Sequence, residues 1–245
     1  MKWLVDPLRT LATLAVGVVA TVLGAPAVIL IARRDPRSAW IERIARGWSK
    51  AWLTAAGSPL KVRGREHVEP GRSYVVVANH LSNLDIMACL LAVPLPIRFL
   101  AKKELFRVPL LAPAMRAVGV VEVDRVARAA IHQQVNVQAR QVVERGQSLI
   151  IYPEGTRSRD GTLRPFKKGA FTMAVAAQMP VLPVTIHGSY RAWPPGQPII
   201  RGGPITVVID PPIPTEGLGP ADTSTIRDEA RKVIAGRLAE LNGRP

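Results

Sequence analysis

Residues 73–85 have the sequence SYVVVANHLSNLD, an apolar run that closes on a cluster of polar side chains. The consecutive β-forming residues at its start predict a buried strand, and the segment Leu84–Val93 predicts a helix. His80 therefore follows the carboxyl end of a strand, and Asp85 lies in the first turn of the next helix. In open α/β sheets this is the edge at which ligands bind.

The spacing of His80 and Asp85 across this turn predicts a pair of interacting side chains. The carboxylate can orient the imidazole through one ring nitrogen, which leaves the other nitrogen to take a proton from a hydroxyl group. The alternative is that both side chains only stabilise the turn, since two such residues at this spacing also occur by chance. His80 is thus a candidate general base with Asp85 as its partner.

Segments on both sides of this turn alternate between predicted strands and predicted helices. The predicted strands are Leu60–Val62, Tyr74–Ala78, Arg98–Ala101, Val120–Val123, Ser148–Tyr152, Val181–His187 and Ile205–Ile209. The predicted helices are Leu84–Val93, Pro109–Ala117, Arg125–Arg145, Gly169–Gln178 and Ser224–Asn242. This alternation is typical of an α/β fold with a largely parallel mixed sheet flanked by helices.

Residues 10–32 carry no charge and lie between Arg9 and Arg33. As one helix they would be roughly 35 Å long, enough to cross a bilayer core. The tripeptide at 24–26, GAP, interrupts the run. Two further interpretations are therefore a kinked membrane-spanning helix and a helix that dips into one leaflet. A third interpretation is a signal peptide with a cleavage-like triplet at 25–27.

A second helix is predicted to begin at Asp35-Pro36, an N-cap residue followed by proline in the first helical position. Trp40, Trp48 and Trp52 lie on one face of this helix, and tryptophan favours the membrane–water boundary. The alternative is that this face packs on the rest of the protein. We expect an N-terminal membrane-associated helical pair.

The charge of the chain indicates an anionic partner. Lys and Arg number 33 against 18 Asp and Glu, a net charge of +15, while 48% of the residues are hydrophobic. Such a chain suits an anionic membrane better than a nucleic acid, for which no binding motif is present. A non-catalytic basic protein that binds membrane or nucleic acid is the alternative of a different class. We predict a membrane-associated two-helix segment over residues 1–56 and a catalytic domain over residues 57–245.

Three further stretches place polar groups where predicted strands end: GVVEVDR at 119–125, IIYPEGTRS at 150–158 and VLPVTIHG at 181–188. In a parallel sheet these ends lie along one edge, so the arginines and the glutamate of the first two stretches are expected to converge near His80. Arginine binds phosphate through a planar fork of donors, and turn N–H groups add to such a site. Taken singly, each stretch is equally well interpreted as an ordinary turn.

Together the four stretches resemble the glycerolipid acyltransferase family, specifically the 1-acylglycerol-3-phosphate acyltransferases of bacteria. The resemblance runs from about Leu60 to Ile209. It rests on N-H-x-S-x-x-D at 79–85, a glycine-led strand ending in arginine at 119–125, P-E-G-T-R-S at 153–158 and a proline-centred apolar stretch at 181–184. Glu122 departs from the second motif, where an apolar or aromatic residue is more usual.

The resemblance implies that His80 deprotonates the free hydroxyl of 1-acyl-glycerol-3-phosphate and that Asp85 orients it. The oxygen then attacks the thioester of acyl-CoA or acyl carrier protein, and phosphatidate is formed without a metal or another cofactor. It also implies a substrate phosphate site formed by Arg125, Glu154, Gly155, Thr156 and Arg157, with Lys103 as a further contributor. Another lysophospholipid or a lyso-ornithine lipid is the alternative acceptor.

The implied setting is the cytoplasmic membrane, with lysophosphatidate in the bilayer and the catalytic domain facing the cytoplasm. The arginines at 33, 34 and 37 follow the apolar run and agree with this orientation.

Cys89 is the single cysteine, which excludes a disulfide framework and a multi-cysteine metal site. We expect a buried thiol that packs as a small hydrophobic group. His67, His132 and His187 have no metal-ligand spacing and are interpreted as surface or structural residues. No G-x-S-x-G motif is present, which agrees with a reaction that needs no acyl-enzyme.

Overall fold

In a computed structural model of the protein, the residues described are 2–123 and 146–243. The strands are β1 (Leu60–Arg63), β2 (Val75–Ala78), β3 (Ile97–Lys102), β4 (Val121–Val123), β5 (Ser148–Ile151), β6 (Val181–His187) and β7 (Ile205–Ile209). The α-helices are α1 (Lys2–Arg34), α2 (Ala39–Ala55), α3 (Leu84–Ala92), α4 (Leu111–Val118), α5 (Gly169–Ala176), α6 (Ser189–Ala192) and α7 (Thr223–Asn242). Short 3₁₀ helices lie at Arg65–His67, Lys103–Arg107 and Pro220–Asp222. The predicted helix Arg125–Arg145, with Arg125 and His132, lies outside the described residues.

The strands form one sheet in the order β1-β7-β6-β2-β5-β3-β4. Strands β2 to β6 run parallel, β7 is antiparallel to β6, and β1 is parallel to β7. At the centre, Val76 pairs with Ile150 of β5 on one side and with Leu182 of β6 on the other. The predicted α/β fold with a largely parallel mixed sheet is confirmed.

Strand β2 is fully buried because helices cover both faces of the sheet. Val76 faces the layer that contains α3, whereas Val75 and Val77 face the layer that contains Phe171 and Ile226. A strand enclosed in this way is expected to be an unbroken apolar run, as it is here. The carboxyl end of β2 therefore lies in the fully buried centre of the sheet.

Helix α1 continues through Pro26 to Arg34, so the tripeptide at 24–26 does not interrupt it. One side of α1 packs on the protein, with Thr13 fully buried. On the other side Leu8, Leu11 and Leu23 are 66%, 67% and 69% exposed. By length and composition, Val5–Arg34 is the one helix in the described part of the chain that could cross a membrane.

The start of α2 corrects the prediction for Asp35 and Pro36. Asp35 accepts the N–H of Arg37 on its carboxylate at 2.9 Å and the N–H of Ser38 on its carbonyl at 3.1 Å. These bonds close a turn with Pro36 in its second position, so the helix begins at Ala39 after Ser38.

The tryptophans of α2 do not all face the same way: Trp48 and Trp52 pack on the protein, whereas Trp40 is exposed. Trp48 donates its indole N–H to Thr21 of α1 at 2.9 Å, and both Trp48 and Trp52 pack against the core. Trp40 is 59% exposed, with the guanidinium of Arg43 over its ring. Packing within the protein is therefore the correct interpretation for Trp48 and Trp52.

Helix α4 begins two residues later than predicted, at Leu111 rather than Pro109. The reason is local, since Leu110 has φ +66°, a value that a right-handed helix does not include.

Candidate active site

Asn79 fixes the end of β2 to the neighbouring strand β6. Its side-chain amide donates to the Ile186 carbonyl at 2.8 Å, and its side-chain oxygen accepts the Ile186 N–H at 2.7 Å. The buried amide thus continues the ladder between the two strands by one residue. His80, which follows, starts from a fixed backbone position.

The predicted pair of His80 and Asp85 is in contact. His80 Nδ1 lies 2.8 Å from Asp85 Oδ2, which also accepts the N–H groups of Leu81 and Ser82, each at 2.7 Å. The Asp85 side chain is fully buried, whereas that of His80 is 16% exposed. Because Nδ1 faces a carboxylate, it is the protonated nitrogen, and Nε2 is left as the proton acceptor.

Ser82, the third polar residue of the first motif, ties the turn to a distant loop. Its hydroxyl donates to the Trp193 carbonyl at 2.8 Å and accepts the N–H of Leu84 at 3.2 Å. The hydroxyl therefore holds the start of α3, the helix that carries Asp85.

Both backbone polar groups of His80 bind the turn that follows β5. The His80 N–H donates to Glu154 Oε1 at 2.7 Å, and the His80 carbonyl accepts the Ser158 N–H at 2.9 Å. The other carboxylate oxygen of Glu154 accepts the N–H of Arg164 at 3.0 Å. Both oxygens of Glu154 thus bind backbone N–H groups of the site, and its substrate-binding role stays a prediction.

Tyr152 lies directly under the ring of His80. The two ring centroids are 3.9 Å apart and the planes are inclined by 13°. The ring of Phe99 also stacks with Tyr152, with their centroids 6.5 Å apart. Burial raises the pKa of the Tyr152 hydroxyl, as does the neighbouring Cys89. The phenol therefore stays protonated and serves as a rigid surface for the imidazole.

Cys89 is buried, as predicted, and its Sγ lies 3.9 Å from the Tyr152 hydroxyl. Burial and then the charge of Asp85 raise the pKa of the thiol. Since the thiolate is the nucleophilic form, this cysteine is not suited to form an acyl-enzyme.

The predicted phosphate-binding residues lie at the same edge of the sheet where the structure describes them. Arg157 donates through Nη1 to Asn83 in the first motif, and Thr156 beside it is exposed. Lys103 follows β3, the strand next to β5. Gly155 has φ +75°, a backbone conformation that favours glycine. Arg125 follows β4 and lies outside the described residues.

Tyr152 and Lys167 were not among the residues predicted for this site. Tyr152 is the last residue of a predicted strand, and its aromatic ring next to the P-E-G-T-R-S motif was the available signal. Lys167 lies next to the turn that follows β5, where its N–H donates to the Pro153 carbonyl at 2.8 Å. Its position in the sequence gives no signal of this contact. In the described part of the chain, no group of three or more His, Cys, Asp or Glu could hold a metal ion.

Comparisons with known proteins agree with the motifs. The 1-acyl-sn-glycerol-3-phosphate acyltransferase of Limnanthes douglasii is 38% identical over 160 residues, covering 65% of this chain and 56% of that protein. The human 1-acyl-sn-glycerol-3-phosphate acyltransferase alpha is 33% identical over 186 residues, covering 76% of this chain and 66% of that protein. The chain thus spans between 56% and 66% of the length of these two relatives.

A solved structure covers the whole chain. The crystal structure of the 1-acyl-sn-glycerophosphate (LPA) acyltransferase from Thermotoga maritima superposes with a TM-score of 0.87 at 29% identity, covering 100% of this chain and 99% of that one. The family model described as Acyltransferase matches residues 59–187, the segment that holds all four motifs. This match confirms the resemblance found in the motifs: the chain belongs to the Acyltransferase family.

Proposed function

We propose that the protein is a 1-acyl-sn-glycerol-3-phosphate acyltransferase. It transfers a fatty acyl group from acyl-CoA or acyl carrier protein to the free hydroxyl of 1-acyl-glycerol-3-phosphate, and phosphatidate is the product. The observation that carries the proposal is the contact between His80 Nδ1 and Asp85 Oδ2 in a chain whose relatives bear this name.

In the proposed reaction His80 Nε2 takes the proton of the acceptor hydroxyl as its oxygen attacks the thioester carbonyl. The new carbon–oxygen bond forms, the carbon–sulfur bond breaks, and the proton returns from Nε2 to the departing sulfur. Asp85 stabilises the positive charge that the imidazole carries between these two transfers. His80 and Asp85 are the catalytic pair in this scheme, and the enzyme is never acylated.

The acceptor phosphate is proposed to bind at the turn after β5. Arg157 has five N–H donors, of which the contact with Asn83 uses one, so its guanidinium can still bind a phosphate. Thr156, Gly155 and Lys103 lie at the same edge of the sheet and complete the described part of the proposed site, to which Arg125 is assigned from its motif alone.

Residues 1–56 are proposed to associate with an anionic membrane, and residues 57–245 to form the catalytic domain. Support comes from α1, which exposes leucines on one side while the hydroxyl of Thr10 on the other accepts the Ile200 N–H at 2.8 Å. A helix docked on the protein in this way fits better in one leaflet than across the bilayer. The arginines at 33, 34 and 37 are proposed to place the catalytic domain on the cytoplasmic side.

The function is tested by thioester-dependent acylation of lysophosphatidate in detergent micelles, with wild type and His80→Ala. We expect phosphatidate from wild type and none from His80→Ala, with circular dichroism unchanged between them. Turnover by His80→Ala would refute the proposed base. Absence of turnover by wild type with acyl-CoA and with acyl carrier protein would refute the proposed function.

The membrane assignment is tested by replacing the exposed leucines Leu8, Leu11 and Leu23 with glutamine. This variant is expected to move from the membrane pellet to the supernatant. The matched control, Lys61→Gln with Arg63→Gln, changes exposed residues on the edge strand β1 and should stay in the pellet. An unchanged distribution of the leucine variant would contradict the assignment.

A further inference from the structure

The side chain of Lys167 lies over the turn at Gly155. A Cβ atom built on Gly155 would stand 2.7 Å from Lys167 Nζ and 3.0 Å from its Cε, so the end of the lysine side chain contacts the glycine. The Lys167 N–H donates to the Pro153 carbonyl at 2.8 Å. The backbone of Lys167 is therefore bound to this turn, and its ammonium group lies beside the turn.

Among residues 2–123 and 146–243, no ion pair joins the Lys167 ammonium group to a carboxylate. The carboxylate in the same turn, that of Glu154, binds the N–H groups of His80 and Arg164 through its two oxygens. Lys167 is also exposed to solvent, so an anion can reach it. A positive charge is thus available next to the turn.

Hydrogen bonds join this turn directly to the segment 79–85, which carries His80 and Asp85. The Glu154 carboxylate and the Ser158 N–H bind the backbone of His80, and Arg157 binds Asn83. Lys167 therefore supplies a second described cation, besides Arg157, on the turn that holds the proposed general base.

We propose that Lys167 binds the phosphate monoester of the acyl acceptor together with Arg157. A phosphate monoester carries a charge of about −1.5 to −2 at neutral pH, so a further cation beside Arg157 and Lys103 helps to neutralise it. Lysine contributes a mobile point charge, and arginine contributes a planar fork of donors that sets the orientation. This assignment rests on the proposed function, and it makes Lys167 a determinant of selectivity for acceptors with a headgroup phosphate.

Gly155 fits this arrangement for two reasons. Its φ of +75° favours glycine, and a side chain at this position would displace the Lys167 ammonium from the turn. The glycine thus allows the lysine to lie close to the backbone.

The test compares Lys167→Met with Lys168→Met, two neighbouring exposed lysines. Initial rates are measured against lysophosphatidate, against monoacylglycerol, which lacks the phosphate, and against the thioester donor. For Lys167→Met we expect KM for lysophosphatidate to rise about tenfold, the effect of losing one hydrogen bond to a charged group, with kcat little changed. The rate with monoacylglycerol should not change, Lys167→Arg should restore most of the affinity, and Lys168→Met should behave as wild type.

Three results would overturn the assignment of Lys167. A KM increase for the thioester donor alone would show that the lysine serves the donor. An equal loss with lysophosphatidate and monoacylglycerol would show a structural role, and unchanged KM values would show that no substrate binds there. Failure of wild type to acylate lysophosphatidate would instead remove the proposed function and this inference with it.

Discussion

The imidazole of His80 lies parallel to the ring of Tyr152, with their centroids 3.9 Å apart. Asp85 holds the same imidazole at its edge through Nδ1. The ring is therefore restrained on one face and at one edge, and its Nε2 points away from both contacts. In the proposed reaction the two residues therefore have separate roles: Asp85 would supply charge, whereas Tyr152 would supply only position.

The first prediction concerns the stacking surface under His80. Tyr152→Phe keeps the ring and removes a hydroxyl whose hydrogen-bond partner among the described residues is Cys89 Sγ, so kcat should stay close to wild type. Tyr152→Leu removes the ring, and since an aromatic pair contributes about 0.5–1.5 kcal/mol, we expect kcat to fall by up to about tenfold. Steady-state kinetics of both variants measure this difference. Equal activity of Phe and Leu variants would show that stacking does not position His80.

The second prediction concerns the charge of Asp85. Oδ2 accepts all three hydrogen bonds of this carboxylate, while Oδ1 has no partner in the described part of the chain. In Asp85→Asn the amide oxygen can take the place of Oδ2 and the NH₂ group that of Oδ1, so the turn should be retained. We expect kcat to fall by on the order of 10²-fold to 10⁴-fold, because the imidazolium loses its counter-charge.

Thermal unfolding provides the control for Asp85. Asp85→Asn should unfold close to the wild-type temperature, whereas Asp85→Ala, which cannot accept the N–H groups of Leu81 and Ser82, should unfold at a lower one. A variant Asp85→Asn with near wild-type kcat would show that the charge is not used in catalysis.

The central strands were predictable because they are mostly apolar runs bounded by turn residues. The bounds predicted for β6 and β7 agree with the structure to the residue, Val181–His187 and Ile205–Ile209. The helix starts at Asp35 and Pro109 were wrong, because a side-chain-to-backbone bond at Asp35 and a positive φ at Leu110 compete with the helix. Such local competition leaves no periodic signal in a sequence.

The site was predictable where its contacts are local in the chain. His80 and Asp85 are joined across one turn, so their spacing indicates the pair. The role of Glu154 depends on His80 and on the Arg164 segment, which only the folded chain brings to it. For the same reason a motif can place Glu154 in the site without showing what it binds.

The third prediction concerns the pH dependence of Glu154. Burial raises the pKa of this carboxyl above its ordinary value of 4.5, and the N–H groups of His80 and Arg164 partly offset the effect. The charged form is therefore less favourable in the folded protein than in the unfolded chain. This destabilisation is absent below pH 4.5 and is complete above the raised pKa of the folded state.

Glu154→Gln removes this titration, so the two proteins should respond differently to pH. The free energy of unfolding of wild type, relative to that of Glu154→Gln, should increase as the pH is lowered from 7 towards 5. Denaturant unfolding of both proteins at several pH values measures this difference. If the free energy of unfolding of wild type, relative to that of Glu154→Gln, instead increased with rising pH, the raised pKa of Glu154 would be contradicted.

The fourth prediction concerns Gly17, where α1 and α2 approach each other. A Cβ atom on Gly17 would lie 2.1 to 2.6 Å from three atoms of the Trp52 indole, so even alanine requires the ring or the helix to move. Overpacking of this kind costs about 1–3 kcal/mol, and Gly17→Ala should therefore lower the stability of the protein.

Gly47 in α2 provides the matched control, because a Cβ there has no atom within 4 Å. Gly47→Ala should stabilise the helix by about 0.4–1 kcal/mol through the lower entropy of the unfolded chain. Thermal unfolding in detergent distinguishes the two, and stabilisation by both variants would mean that α1 does not pack on Trp52 in the folded protein.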